Sequence, residues 1–167
     1  MADPNTTDDV KELPLDAKFK RLVKDKYILS TILKGCVNEF KGMDMEQTLA
    51  CLELEEGNDL VKTRDTELFS EDGELVKANS VFDIKLPNDE MIGIIVNIEG
   101  RGRSNVEYPI LNRAMYYAYE LIVNQKGTFF KKQEYEKIRK VYSIWCMIRP
   151  PVPLRNTAIE YRLNGIL

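Results

Sequence analysis

Two apolar runs of the strand type, separated by a short polar turn, constrain the fold of this chain more than any other feature. The runs are residues 80–86 and Met91–Glu99. Apolar side chains recur at every second position in both, which is the spacing of a β-strand with two different faces. Residues 87–90 (PNDE) carry turn-forming side chains. The sequence therefore predicts a β-hairpin with one acidic residue, Asp83 or Glu99, in each strand.

Asp83 and Glu99 are candidate ligands for a divalent cation. Strand alternation places both toward one face of the hairpin. Adjacent strands lie about 4.8 Å apart, so we expect the two carboxylates to share one ion. A hard cation that hydrolyses a phosphodiester needs a few such oxygen ligands on a rigid support. The spacing alone does not distinguish such a metal site from two solvated carboxylates at strand ends.

Four segments of the chain resemble one known family in order and spacing. They are Asp83-Ile-Lys, Ile98-Glu-Gly-Arg, residues 108–117 (YPILNRAMYY) and residues 141–146 (VYSIWC). Together they resemble the PD-(D/E)XK nuclease family transposases, relatives of the recombination-promoting nucleases. The resemblance implies an α/β fold, a restriction-endonuclease-like three-layer αβα core with a mixed central sheet. It also implies Asp83 and Glu99 as metal ligands, and Mg²⁺ or Mn²⁺ as the cofactor for cleavage of DNA.

Glu39 is a third candidate metal ligand, because the family often adds an acidic residue from its first core helix. An apolar stripe at helical spacing runs through residues 28–40, and Glu39 follows Ile32 by seven residues, about 20° off the same line. A carboxylate on the packed face must be paired, protonated or bound to metal. At the edge of the stripe it is simply solvated, and the sequence leaves both alternatives open.

Arg101 departs from the family pattern. Relatives place Gln, and nucleases of the wider superfamily Lys, two residues after the Glu. Arginine clamps a phosphate well, but it has no acceptor and stays protonated, so it neither orients water nor acts as a base. Two functions follow. One is a Mg²⁺-dependent DNA endonuclease of a mobile element, with Asp83, Glu99 and Arg101 as catalytic residues. The other is a catalytically inactive nuclease-fold protein of a mobile element or phage, which grips DNA or inhibits a host DNA-targeting complex as anti-CRISPR proteins do.

Basic residues are concentrated in the second part of the chain. Residues 1–99 contain 12 Lys and Arg against 22 Asp and Glu, whereas residues 100–167 contain 12 against 5. This asymmetry predicts contact with the DNA backbone without strong sequence readout. A solvated helix face is the alternative for the lysines. The candidate nucleic-acid contacts are Arg101, Arg103, Arg113 and Lys126.

Composition limits the class of protein further. The absence of histidine excludes a His-based triad and His-metal chemistry. Three cysteines without metal-site spacing predict buried thiols in a reducing compartment. Length and composition predict a disordered leader at residues 1–13 and a single domain at residues 14–167. No membrane-length apolar run and no signal-like leader are present, so we expect a cytoplasmic protein without membrane contact. Whether it forms a homodimer or binds a protein in a DNA-targeting complex is left open.

Periodicity predicts the remaining elements. Residues 15–40 form one or two helices, and Asp44 with Gln47 forms an N-cap box. Residues 105–125 form a helix that packs on the sheet, and residues 138–148 a strand buried on both faces, with Trp145 in the core. The predicted inward-facing residues of the long helix are Tyr108, Leu111, Met115, Ala118, Tyr119 and Ile122.

Overall fold

The computed structural model describes residues 15–64, 67–69, 75–77, 80–89, 91–99, 110–147, 150 and 152–162. It divides the chain into two compact units, Met1–Thr63 and Arg64–Leu167, where the sequence predicts one domain from residue 14 onward. Within these described ranges, no helix combines the length and the apolar character needed to cross a membrane.

The first unit is helical. A carboxylate begins each of its two later helices: Asp25 accepts from the amides of Tyr27 and Ile28, both at 3.0 Å, and Asp44 forms a capping box with Gln47. Such caps satisfy amides that the helix itself leaves without partners. The predicted N-cap box is therefore confirmed. The helices are α1 (Leu15–Lys24), α2 (Lys26–Cys36) and α3 (Met45–Ala50).

The apolar stripe of residues 28–40 forms much of the core of this unit. Its members Leu29, Leu33, Val37 and Phe40 are fully buried. Cys36, the last residue of α2, belongs to the same stripe but is exposed, so its prediction as a buried thiol is wrong. Two further cysteines, Cys51 and Cys146, are buried and half-buried, and none of the three forms a disulfide. Burial raises the pKa of the Cys51 thiol.

The described residues of the second unit form two sheets. Strands β1 (Glu67–Phe69) and β2 (Leu75–Lys77) form a small antiparallel pair. The larger sheet has the strand order β3-β4-β5, with β3 and β4 antiparallel and β4 and β5 parallel, so it is mixed. The predicted hairpin is confirmed, while the three-layer nuclease core remains a prediction. The strands of the larger sheet are β3 (Ser80–Lys85), β4 (Met91–Glu99) and β5 (Val141–Met147).

Helix α4 (Ile110–Val123) packs on this sheet with a different face from the predicted one. Leu121 is buried against Val81, with Tyr117 and Val141 packed around them. The predicted inward residues Met115, Tyr119 and Ile122 are instead exposed. The reason is that α4 is apolar on nearly every side, so periodicity alone does not determine which side packs. Burial of Leu121 and the ring stack between Tyr117 and Trp145 determine it.

Candidate functional site

The hairpin register does not bring Asp83 and Glu99 together. Asp83 pairs with Gly93, whereas Glu99 lies six residues further along β4, opposite Met147 of β5. A strand rises about 3.3 Å per residue, so the two backbones are separated by roughly 20 Å. The turn is centred near Asn88, five residues after Asp83 but eleven before Glu99. The expectation that these two carboxylates share one cation is therefore contradicted.

Asp83 is instead bound by an arginine. Arg64 Nε donates to Asp83 Oδ2 at 2.7 Å, and Arg64 Nη2 donates to Asp83 Oδ1. The backbone places the pair, because the Arg64 amide donates to the carbonyl of Val81 at 2.9 Å beside β3. Both side chains are about 30% exposed. The carboxylate thus has a bidentate guanidinium partner at the edge of the core.

A second guanidinium lies near the first. Arg139 stacks on the Phe129 ring, with its Cζ 3.5 Å from the ring centroid, and Arg64 Cζ lies 5.7 Å from the same centroid. Burial lowers the pKa of Arg139, while Asp83 raises it and Arg64 lowers it. We name Arg64, Asp83, Arg139 and Phe129 the guanidinium cluster. It holds two positive charges and one negative charge, because arginine stays protonated near neutral pH.

Gln125 holds Arg139 in position. Its side chain is buried, its Oε1 accepts from the Arg139 amide at 2.7 Å, and its Nε2 donates to the Arg139 carbonyl at 3.1 Å. Its own carbonyl accepts from the Phe129 amide at 2.9 Å. One buried residue therefore connects the two loop positions that form the cation and the ring of the cluster.

The other predicted site residues lie elsewhere. Glu39 is half-buried in the 3₁₀ turn Asn38–Phe40 of the first unit. Arg113 of α4 is half-buried, with its Cζ 5.3 Å from the Trp145 ring. Lys126 follows α4 and is exposed. Two of the predicted DNA contacts fall outside the described residues, Arg101 and Arg103.

The arrangement fits an anion better than a cation. In the part of the chain that the structure describes, no group of three or more acidic, His or Cys side chains is gathered around one metal position. A cation at Asp83 would also face the Arg64 guanidinium on both oxygens. The residues present therefore do not fit the two-carboxylate metal site that the family resemblance implies. They fit a phosphate better, because the guanidinium of Arg139, stacked on Phe129, can donate paired hydrogen bonds to it.

Sequence reasoning missed Arg64 as the partner of Asp83 and Phe129 as the ring beside the two guanidinium groups. Arg64 precedes Asp83 by 19 residues, and Phe129 belongs to the loop after α4, so no local spacing connects them. The one signal was Asp83 itself. A carboxylate inside an apolar strand needs a partner, but the sequence does not say which one.

Comparison with known proteins adds no assignment. No family model matches the sequence, and neither a curated protein nor a solved structure matches it. The class that the site defines is therefore taken from its geometry, which is that of a cationic cluster at the edge of a mixed sheet.

Proposed function

We propose that this chain binds the phosphate backbone of DNA and that the guanidinium cluster is one of its phosphate contacts. The observation that carries the proposal is the charge balance of the cluster. Arg64 is neutralised by Asp83 through two hydrogen bonds, whereas Arg139 has no ion-pair partner within 4 Å among the described residues. One positive charge thus remains for a ligand.

The electrostatics of Arg139 support a ligand that carries negative charge. Burial lowers the pKa of Arg139 most, and Arg64 lowers it further, which means that both disfavour its charged form; Asp83 raises the pKa and offsets them only in part. A phosphate removes that unfavourable energy, since it supplies a counter-charge to both guanidinium groups. The Phe129 ring holds the Arg139 plane in one orientation before any ligand binds. A planar guanidinium in a fixed orientation suits bidentate recognition of phosphate.

The same geometry favours binding over cleavage. Asp83 orients Arg64, and Glu99 lies too far along β4 to complete a metal site with it. We therefore propose the second class raised by the resemblance, a nuclease-like protein of a mobile element or phage that grips DNA in the cytoplasm without cutting it. The basic balance of residues 100–167 supports contact with many phosphates.

Binding of a labelled DNA duplex, followed by fluorescence anisotropy at several NaCl concentrations, tests the proposal. We expect affinity to fall steeply with salt, because bound phosphates release counterions. Arg139→Ala is expected to lower affinity about tenfold and to reduce the salt slope by about one. The substitution keeps both hydrogen bonds to Gln125, since these involve the Arg139 backbone. Arg155→Ala removes an exposed arginine of the C-terminal segment and serves as the control. Equal affinities for the two variants would remove the cluster from the interface.

Incubation with supercoiled plasmid in Mg²⁺ or Mn²⁺ tests the exclusion of cleavage. We expect the plasmid to remain supercoiled, because the two carboxylates do not share an ion. Metal-dependent nicking by the wild type that disappears in both Asp83→Ala and Glu99→Ala would contradict this expectation and restore the endonuclease hypothesis.

A further inference from the structure

The solvent-facing side of α4 carries no charged side chain. The only two charged residues of the helix are turned inward, since Arg113 stacks over Trp145 and Glu120 is buried. Surface helices normally show the opposite arrangement. A contiguous exposed apolar face of this kind is typical of a surface that a partner covers. The exposed residues are Asn112, Met115, Tyr116, Tyr119 and Ile122.

A shallow pocket of about 200 Å³ continues this face at the C-terminal end of α4. Its apolar residues include Ile122 and Phe130, and two lysines, Lys126 and Lys132, line it as well. Neither lysine has an acidic partner within 4 Å in the described ranges of the chain. The apolar face therefore ends at two ammonium groups, which favour an occupant that combines apolar side chains with a carboxylate.

The chain itself exposes a segment with that composition. Ile159 and Tyr161 are 58% and 67% exposed, and Glu160 lies between them. Glu160 accepts from Arg162 Nε at 2.6 Å and from Arg162 Nη2 at 2.9 Å. An ion pair this exposed contributes little to stability.

We propose that the exposed face of α4 binds residues 157–161 of a second copy of the chain. Alternate residues of an extended segment lie about 6.6 Å apart, and residues four apart on a helix about 6 Å, so Ile159 and Tyr161 match the row of Met115, Tyr119 and Ile122. Glu160 then lies on the opposite side of the segment, where the long side chains of Lys126 and Lys132 reach it from the edge of the face. Each copy supplies both a face and a segment.

Sedimentation velocity over a range of protein concentrations tests the proposal. We expect the wild type to form a dimer in a concentration-dependent manner. Tyr119→Ala and the double variant Ile159→Ser, Tyr161→Ser are each expected to raise the dissociation constant about tenfold or more, because each removes aromatic contact area at the centre of the interface. Tyr27→Ala is the matched control, since Tyr27 of α2 is as exposed as Tyr119, at 55%. All of these sites are exposed, so the fold is retained.

Mixing the two defective variants decides whether the segment is the occupant. The Tyr119→Ala copy keeps an intact segment and the double variant keeps an intact face, so the mixture is expected to dimerise at concentrations at which neither variant does so alone. A wild type that stays monomeric at every concentration overturns the proposal. A dimer that is lost in Tyr119→Ala but unchanged in the double variant also overturns it, because another surface then covers α4.

Discussion

Replacing Asp83 with asparagine is expected to tighten DNA binding about fivefold. The substitution removes the only negative charge of the guanidinium cluster and frees both arginines for a phosphate. One charge at the edge of the core, near a bound phosphate, is worth about 1 kcal/mol. Asparagine retains a side-chain oxygen that accepts from Arg64, so the local structure persists. The measurement is the anisotropy titration of a labelled duplex in EDTA and again in Mg²⁺.

The same charge change elsewhere on the hairpin provides a control. Asp89 lies in the turn after β3 and forms an exposed ion pair with Lys85 at 2.7 Å. Asp89→Asn is expected to change affinity less than twofold, because exposed charges are screened by salt. If Asp83 were a metal ligand, the effect of its substitution on DNA affinity would depend on Mg²⁺. If Asp83→Asn weakens binding in Mg²⁺ and leaves it unchanged in EDTA, the carboxylate holds a cation, and the phosphate contact is wrong.

Replacing Gln125 with alanine is expected to lower the unfolding free energy of the second unit by about 3 kcal/mol. The substitution leaves the amide and the carbonyl of Arg139 without their partners, and a buried polar group that loses its partner costs about 1 to 3 kcal/mol. DNA affinity is expected to fall as well, because Arg139 is no longer held on Phe129. Urea unfolding followed by tryptophan fluorescence measures the stability. Trp145 is the only tryptophan and lies in this unit, so the signal reports on this unit.

Two further variants separate the contributions of Gln125. Gln125→Glu keeps an oxygen that accepts from the Arg139 amide, loses the donor to the Arg139 carbonyl and adds a buried carboxylate, so at least half of the destabilisation is expected. Gln133→Ala changes an exposed glutamine of the same loop and is expected to be neutral within about 0.5 kcal/mol. A Gln125→Ala protein as stable as Gln133→Ala would show that the loop does not depend on these bonds.

The elements of the second unit were largely predictable from sequence, because each rests on local chemistry. Alternation of apolar side chains predicted β3 and β4, and a run of β-branched and aromatic residues predicted β5. Apolar residues at helical spacing predicted α4. The orientation of α4 was not predictable. A helix with apolar residues on nearly every side has no single amphipathic face, so the contacts of Tyr117 and Leu121 with the sheet decide which side packs.

Of the guanidinium cluster, the sequence analysis named only Asp83 as a site residue. Asp83 was identified as the carboxylate of the first hairpin strand and through the family resemblance. Its expected partner Glu99 was assigned from strand alternation without knowledge of the register. The alternation of side chains determines which face of the strand a residue lies on, whereas the turn determines the register and therefore which residue it pairs with. The actual partner, Arg64, comes from a segment that pairs with β3 beyond any local pattern.

The parallel pairing of β4 with β5 has a consequence for the order of folding. The antiparallel hairpin joins residues close in sequence, such as Lys85 and Met91, whereas Gly93 and Val141 are 48 residues apart. Closing so long a loop costs more chain entropy than closing a hairpin turn, so the hairpin forms early and β5 joins late. Until then, the β4 edge that later receives β5 has unpaired amides and carbonyls. Such an edge is open to pairing with another nascent chain, which makes the interval before β5 docks the stage most exposed to aggregation.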